Sequence, residues 1–160
     1  MNIETQNKLF PVFLKLENFR VLIVGGGKVG LEKVSAVLLN SPNTVLTVVA
    51  KEISSELRTF LDTYPTVKVI EREFLNSDLN EVDFLIVAIN DKQKSIEIKT
   101  EAKRRKILAN VADTPEYCDF YLGSIVRKGD LKIAISTNGK SPTIAKRVRG
   151  RSGKSMAEVW

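Results

Sequence analysis

The chain of 160 residues contains no histidine at all, a single cysteine (Cys118), a single tryptophan and two methionines. Without histidine it lacks the usual proton shuttle near neutral pH and the commonest metal ligand. Acid–base chemistry is left to Asp, Glu, Lys, Tyr or the lone thiol. One cysteine excludes an intrachain disulfide framework. No apolar run approaches the ~20 residues of a membrane-spanning helix. The opening MNIETQNKLF has no apolar core of the signal-peptide kind. Together these absences point to the cytoplasm and away from a membrane. What is present is ordinary for a folded domain: 43% apolar and 28% charged residues, with a formal net charge of +6. That charge suits an acidic partner, and no interleaving of aromatic with basic residues favours nucleic acid over an acidic small molecule.

The most informative stretch is VLIVGGGKVG at 21–30. A β-branched run enters a glycine turn, and a helical pattern follows. Gly25, Gly27 and Gly30 fit G-x-G-x-x-G. Gly25 permits the tight turn, Gly27 lets backbone approach a pyrophosphate, and Gly30 allows close packing of the new helix. The helix N-terminus then offers free N–H groups to phosphate. With a strand before it and a helix after it, the motif points to dinucleotide binding.

Strand and helix patterns alternate along the chain. Residues 9–16, LFPVFLKL, read as an extended lead-in or edge strand. Strands are expected at 20–24, 44–50, 67–70, 83–89 and 107–112, and helices at 28–40, 53–62 and 91–105. This order implies an α/β fold, a parallel sheet with right-handed crossovers and helices on both faces. The pattern then changes. Residues 120–127 and 131–137 flank Lys128-Gly129-Asp130 and read as an antiparallel hairpin. Ser141-Pro142 opens a last helix to about Arg149. The division is 1–113 for the dinucleotide-binding part, 114–149 for a dimerisation and substrate-side part, and 150–160 for a tail. A hairpin with one apolar face needs a cover, so a symmetric dimer built partly from 114–137 is expected.

Candidate site residues follow from where strands end. Past the second strand, Glu52 lies at about the spacing of a ribose-binding acid, or else opens the next helix. Lys51 beside it could accept a 2′-phosphate, which leaves NAD against NADP open. Asn90 and Asp91 leave the fourth strand on the cofactor side, and Asp91 reads equally as a helix cap. Asp113 leaves the fifth strand at the same edge, where a carboxylate could accept a proton or simply make a turn before Pro115. Ser136-Thr137-Asn138-Gly139-Lys140-Ser141 is a polar loop that could hold an anionic group, or be no more than a loop and cap.

The blocks LFPVFLKLENFRVLIVGGGKVGLEK, FLIVAINDK, NVADTPEYCDF and IAISTNGKSPTIAKRVR, in this order, resemble the precorrin-2 dehydrogenase family, which includes the N-terminal part of siroheme synthase. The resemblance covers residues 8 to about 149. It implies a Rossmann-type domain, a homodimer with the hairpin at the subunit contact, and NAD-dependent oxidation of precorrin-2, a tetrapyrrole, to sirohydrochlorin. It places the catalytic aspartate on Asp113, NAD contacts on Lys28, Val29, Lys51 and Glu52, and tetrapyrrole-side surface on the Ser-Pro loop containing Ser136, Asn138, Gly139, Lys140 and Ser141. Some members also insert iron; with no histidine here, dehydrogenation alone is expected. The other reading of the first half is a non-catalytic nucleotide-sensing module. The hairpin followed by STNGKSP favours the enzyme.

Overall fold

In the computed structural model, residues 6–140, Arg147 and Gly150 are described. Four consecutive buried residues, Val21–Val24, form most of β1 (Arg20–Val24) and sit at the centre of the sheet. The chain continues through α1 (Lys28–Asn40), β2 (Val45–Ala50), α2 (Ser55–Leu61), β3 (Lys68–Glu71), β4 (Phe84–Val87), α3 (Lys92–Arg104) and β5 (Leu108–Val111). The five strands pair in parallel in the order β3-β2-β1-β4-β5. The order reverses direction on either side of β1, which creates a switch point between β1 and β4 at their carboxyl ends.

Alternation along the strands divides the core between two faces. Ile23, Val48 and Ile86 lie on one side with Val34, Val37 and Leu38 of α1 and Leu57 of α2. Leu22, Val24, Leu85 and Val87 lie on the other with Ile98 and Ala102 of α3. With both faces covered, central strands read as continuous apolar runs. Two helices begin at side-chain caps: Ser54 Oγ accepts from Leu57 N at 3.1 Å, and Asp91 Oδ1 accepts from Lys94 N at 3.0 Å.

The outer edge of β5 is closed by its own chain. Asp119 N donates to Ala109 O at 2.7 Å, and Asp119 Oδ2 accepts from Ala109 N at 2.9 Å. Val111 N donates to Cys118 Sγ at 3.2 Å, and Asn110 Nδ2 donates to Phe120 O at 3.0 Å. Lys99 of α3, only 9% exposed, completes the arrangement by bonding Asp119. The sequence pattern starts a strand at Phe120. Its ring instead packs edge-on against Phe84 while its carbonyl serves Asn110.

Residues 9–15 form no strand; Pro11 lacks an N–H, and a 3-10 turn, Leu16–Asn18, leads into β1. The antiparallel pair β6 (Ser124–Lys128) and β7 (Leu131–Ile135) turns at Gly129, whose φ is +55°. Contacts divide the chain into two compact units. One is Leu14–Phe120, and the other comprises the described parts of Met1–Phe13 and Tyr121–Trp160. The helix expected after Ser141 lies outside the described residues.

Candidate dinucleotide site

The glycine turn is fastened from three directions. Gly25 N donates to Val49 O at 2.9 Å, Ser54 N donates to Gly26 O at 2.9 Å, and Ala88 N donates to Val24 O at 2.7 Å. These bonds draw the ends of β1, β2 and β4 together. Gly25 has φ +138°, and a Cβ there would stand 2.2 Å from Ala88 O. A Cβ on Gly30 would stand 2.5 Å from Gly25 O, so the helix packs closely on the turn itself. Gly26, an x position of the motif, is equally constrained: its Cβ would lie 2.2 Å from Glu52 O. Gly27 differs from all three, since a Cβ there meets nothing within 4 Å.

That contrast is a test of fit for a pyrophosphate. Three glycines are required by the protein's own backbone, whereas the fourth faces open space where a side chain would obstruct a ligand. Gly27 is also the N-cap of α1 and supplies no side-chain acceptor. The first-turn amides, including those of Lys28 and Val29, have no acceptor within the helix and suit an anion. The residues present fit the group.

Lys51 and Glu52 are exposed in the segment that follows β2. Glu52 does not open α2, which is capped by Ser54. Lys51 Nζ lies 3.8 Å from Glu73 Oε1, an ion pair absent from any sequence pattern. Asn90 is exposed just beyond β4, next to the capping Asp91. Asp113 is exposed beyond β5 with φ +59°, in a turn held by Thr114 N donating to Val111 O at 3.2 Å. Ala112 N donates to Val87 O at 2.9 Å, which ties this turn to the end of β4. The glycine turn, Lys51, Glu52, Asn90 and Asp113 therefore all emerge at the carboxyl edge of one sheet.

The lone thiol is removed from the list of bases. Cys118 Sγ donates to Val111 O at 3.2 Å, and burial pushes its pKa up. In the other compact unit, Asn138 and Gly139 have φ of +59° and +72°, and Lys140 N donates to Thr137 O at 3.1 Å. Positive φ at both central positions is a type I′ turn, the form that Asn-Gly favours. Ser136 Oγ accepts from Asn138 N at 3.1 Å and from Asn7 Nδ2 at 3.3 Å. Ser141 lies outside the described residues.

A family model described as "Putative NAD(P)-binding" matches residues 12–124, and one described as "Sirohaem biosynthesis protein central" matches 128–151. A siroheme synthase of Psychrobacter cryohalolentis is 37% identical over 142 residues, which cover 89% of this chain and 27% of that protein. The siroheme biosynthesis protein met8 of Schizosaccharomyces pombe is 38% identical over 143 residues, 86% of this chain and 52% of that one. Among solved structures, SirC, a precorrin-2 dehydrogenase, superposes with a TM-score of 0.73 at 26% identity, over 92% of this chain and 70% of its own. This chain thus spans about a quarter to a half of the length of these two curated relatives.

Proposed function

This chain belongs to the NAD(P)-binding family whose model spans residues 12–124, and from that premise we propose that it oxidises precorrin-2 to sirohydrochlorin with NAD. The observation that carries the reading is the succession of an NAD(P)-binding match and a sirohaem-biosynthesis match in a single chain. A nucleotide sensor would account for the first alone.

In this reading the backbone at Gly25, Gly27 and Gly30, with the amides of Lys28 and Val29, holds the pyrophosphate. Lys51 and Glu52 flank the adenosine ribose, and Asn90 borders the cofactor beyond β4. NAD supplies the hydride acceptor. Loss of a hydride leaves a proton to be removed, and Asp113 is the base that takes it. Ser136, Asn138, Gly139, Lys140 and Ser141 meet the substrate's carboxylates, where the lysine charge suits anions. We place the reaction in the cytoplasm and assign no iron insertion to this chain. The test is incubation of the full chain with precorrin-2 and NAD. Sirohydrochlorin and reduced NAD are expected to accumulate in step; NAD binding without turnover would leave the sensor.

We also propose a homodimer. Phe10 is 87% and Phe13 70% exposed, and Leu122 and Leu131 are exposed beside or within the hairpin. A two-stranded sheet is marginal without a cover, and exposed large apolar side chains favour one. Light scattering across a dilution series is expected to give twice the chain mass. A monomer at high micromolar concentration would contradict this.

A further inference from the structure

We propose that Glu73, by holding Lys51, is a residue that sets the preference for NAD over NADP; the inference rests on the dinucleotide reading above. NADP differs by a phosphate on the adenosine ribose. Folds of this type that accept it offer a cation near the end of the second strand, whereas those that take NAD place an acid there to bind the ribose hydroxyls.

Position comes first. Val49 O and Ser54 N both bond the glycine turn, and Glu52 O sits where any Cβ on Gly26 would go. The segment carrying Lys51 and Glu52 is thus fixed to the loop that meets the pyrophosphate. Lys51 is the cation best placed for a 2′-phosphate.

Occupation comes second. Lys51 faces Glu73, which follows β3. The next cation at this corner, Arg58 of α2, bonds Glu71 at the end of β3, and that hydrogen bond holds the Glu71 carboxyl below its ordinary range. Arg72 is taken up by the Asp78 carboxylate at 2.7 Å and by the Glu73 carbonyl at 2.9 Å. Two cations, Lys51 and Arg58, therefore stand against three carboxylates, Glu52, Glu71 and Glu73. The corner is net acidic in a chain whose overall charge is +6. A ribose hydroxyl can donate to Glu52; a 2′-phosphate meets these carboxylates, and each of the two cations faces one of them. Lys28 opens α1 at the pyrophosphate, a group both dinucleotides share, and so does not discriminate.

The Lys51–Glu73 pair is exposed, and exposed pairs are weak, so the effect of removing Glu73 is moderate. The experiment is calorimetric titration of the full chain with NAD and with NADP. Wild type is expected to bind NAD more tightly. Glu73→Gln is expected to tighten NADP binding about 3- to 10-fold while leaving NAD within about twofold. Adding Lys51→Gln to Glu73→Gln is expected to abolish the gain, which a general loosening of the corner would not do. Wild-type preference for NADP, or a Glu73→Gln ratio equal to wild type, would overturn the inference and leave dinucleotide binding standing. A wild-type chain that binds neither would overturn both.

Discussion

Asp113→Asn is expected to oxidise precorrin-2 about 10²- to 10⁴-fold more slowly than wild type, the usual cost of losing a general base. The substitution suits the backbone. Asp113 has φ +59°, a region that aspartate and asparagine both tolerate and that alanine does not. Asp113→Ala would mix lost chemistry with a strained turn, whereas asparagine keeps shape and conformation and removes only the proton acceptor. NAD affinity is expected to change little, because the proposed pyrophosphate and ribose contacts lie on the β1 and β2 ends. Steady-state turnover measured beside NAD titration separates the two effects. Near-normal turnover in a folded Asp113→Asn protein would reduce the residue to its turn and pass the proton to water or to the substrate's own carboxylates.

The second large effect divides glycines that look alike in sequence. Gly27→Val is expected to fold with a stability loss of about 1 kcal/mol or less, since its Cβ enters open space and its φ of −92° is accessible to any residue. The same side chain would occupy the approach to the first-turn amides. Losing hydrogen bonds to a charged phosphate costs about 1.5–3 kcal/mol, or roughly 10- to 100-fold in NAD affinity. Gly26→Ala is expected to do the reverse: its Cβ would stand 2.2 Å from Glu52 O, and overpacking of this kind costs about 1–3 kcal/mol. Urea unfolding and calorimetry on both proteins distinguish the two outcomes. Unchanged NAD affinity in folded Gly27→Val would remove this loop from the phosphate site.

The sequence made the parallel sheet and the hairpin legible, because their signals are local. β-branched runs, helical periodicity and a glycine turn each report a conformation within a few residues. Boundaries shifted where side chains made other bonds: Phe120 serves Asn110 and Phe84 instead of starting β6. Asp91 could be read as cap or cofactor neighbour until Lys94 N was found on its carboxylate. Glu52 lost its reading as a helix opener once Ser54 proved to cap α2. Two features had no signal to find. Gly26 is an unrestricted position of the motif, yet Glu52 O leaves it no room for a side chain. Lys51 and Glu73 are neighbours only because β2 and β3 pair, and a contact between residues far apart in sequence leaves no periodicity.

The seal along β5 bears on how copies of this sheet can join. Open-ended growth by strand addition needs two reactive edges per molecule, as a linear polymer needs bifunctional monomers. On the β5 side, the outward amides of Ala109 and Val111 are bonded to Asp119 and Cys118 within the same chain. On the other side, among the described residues, β3 pairs with β2 alone. In valency terms this five-stranded sheet is monofunctional, so joining two copies of it edge to edge through β3 ends at a pair.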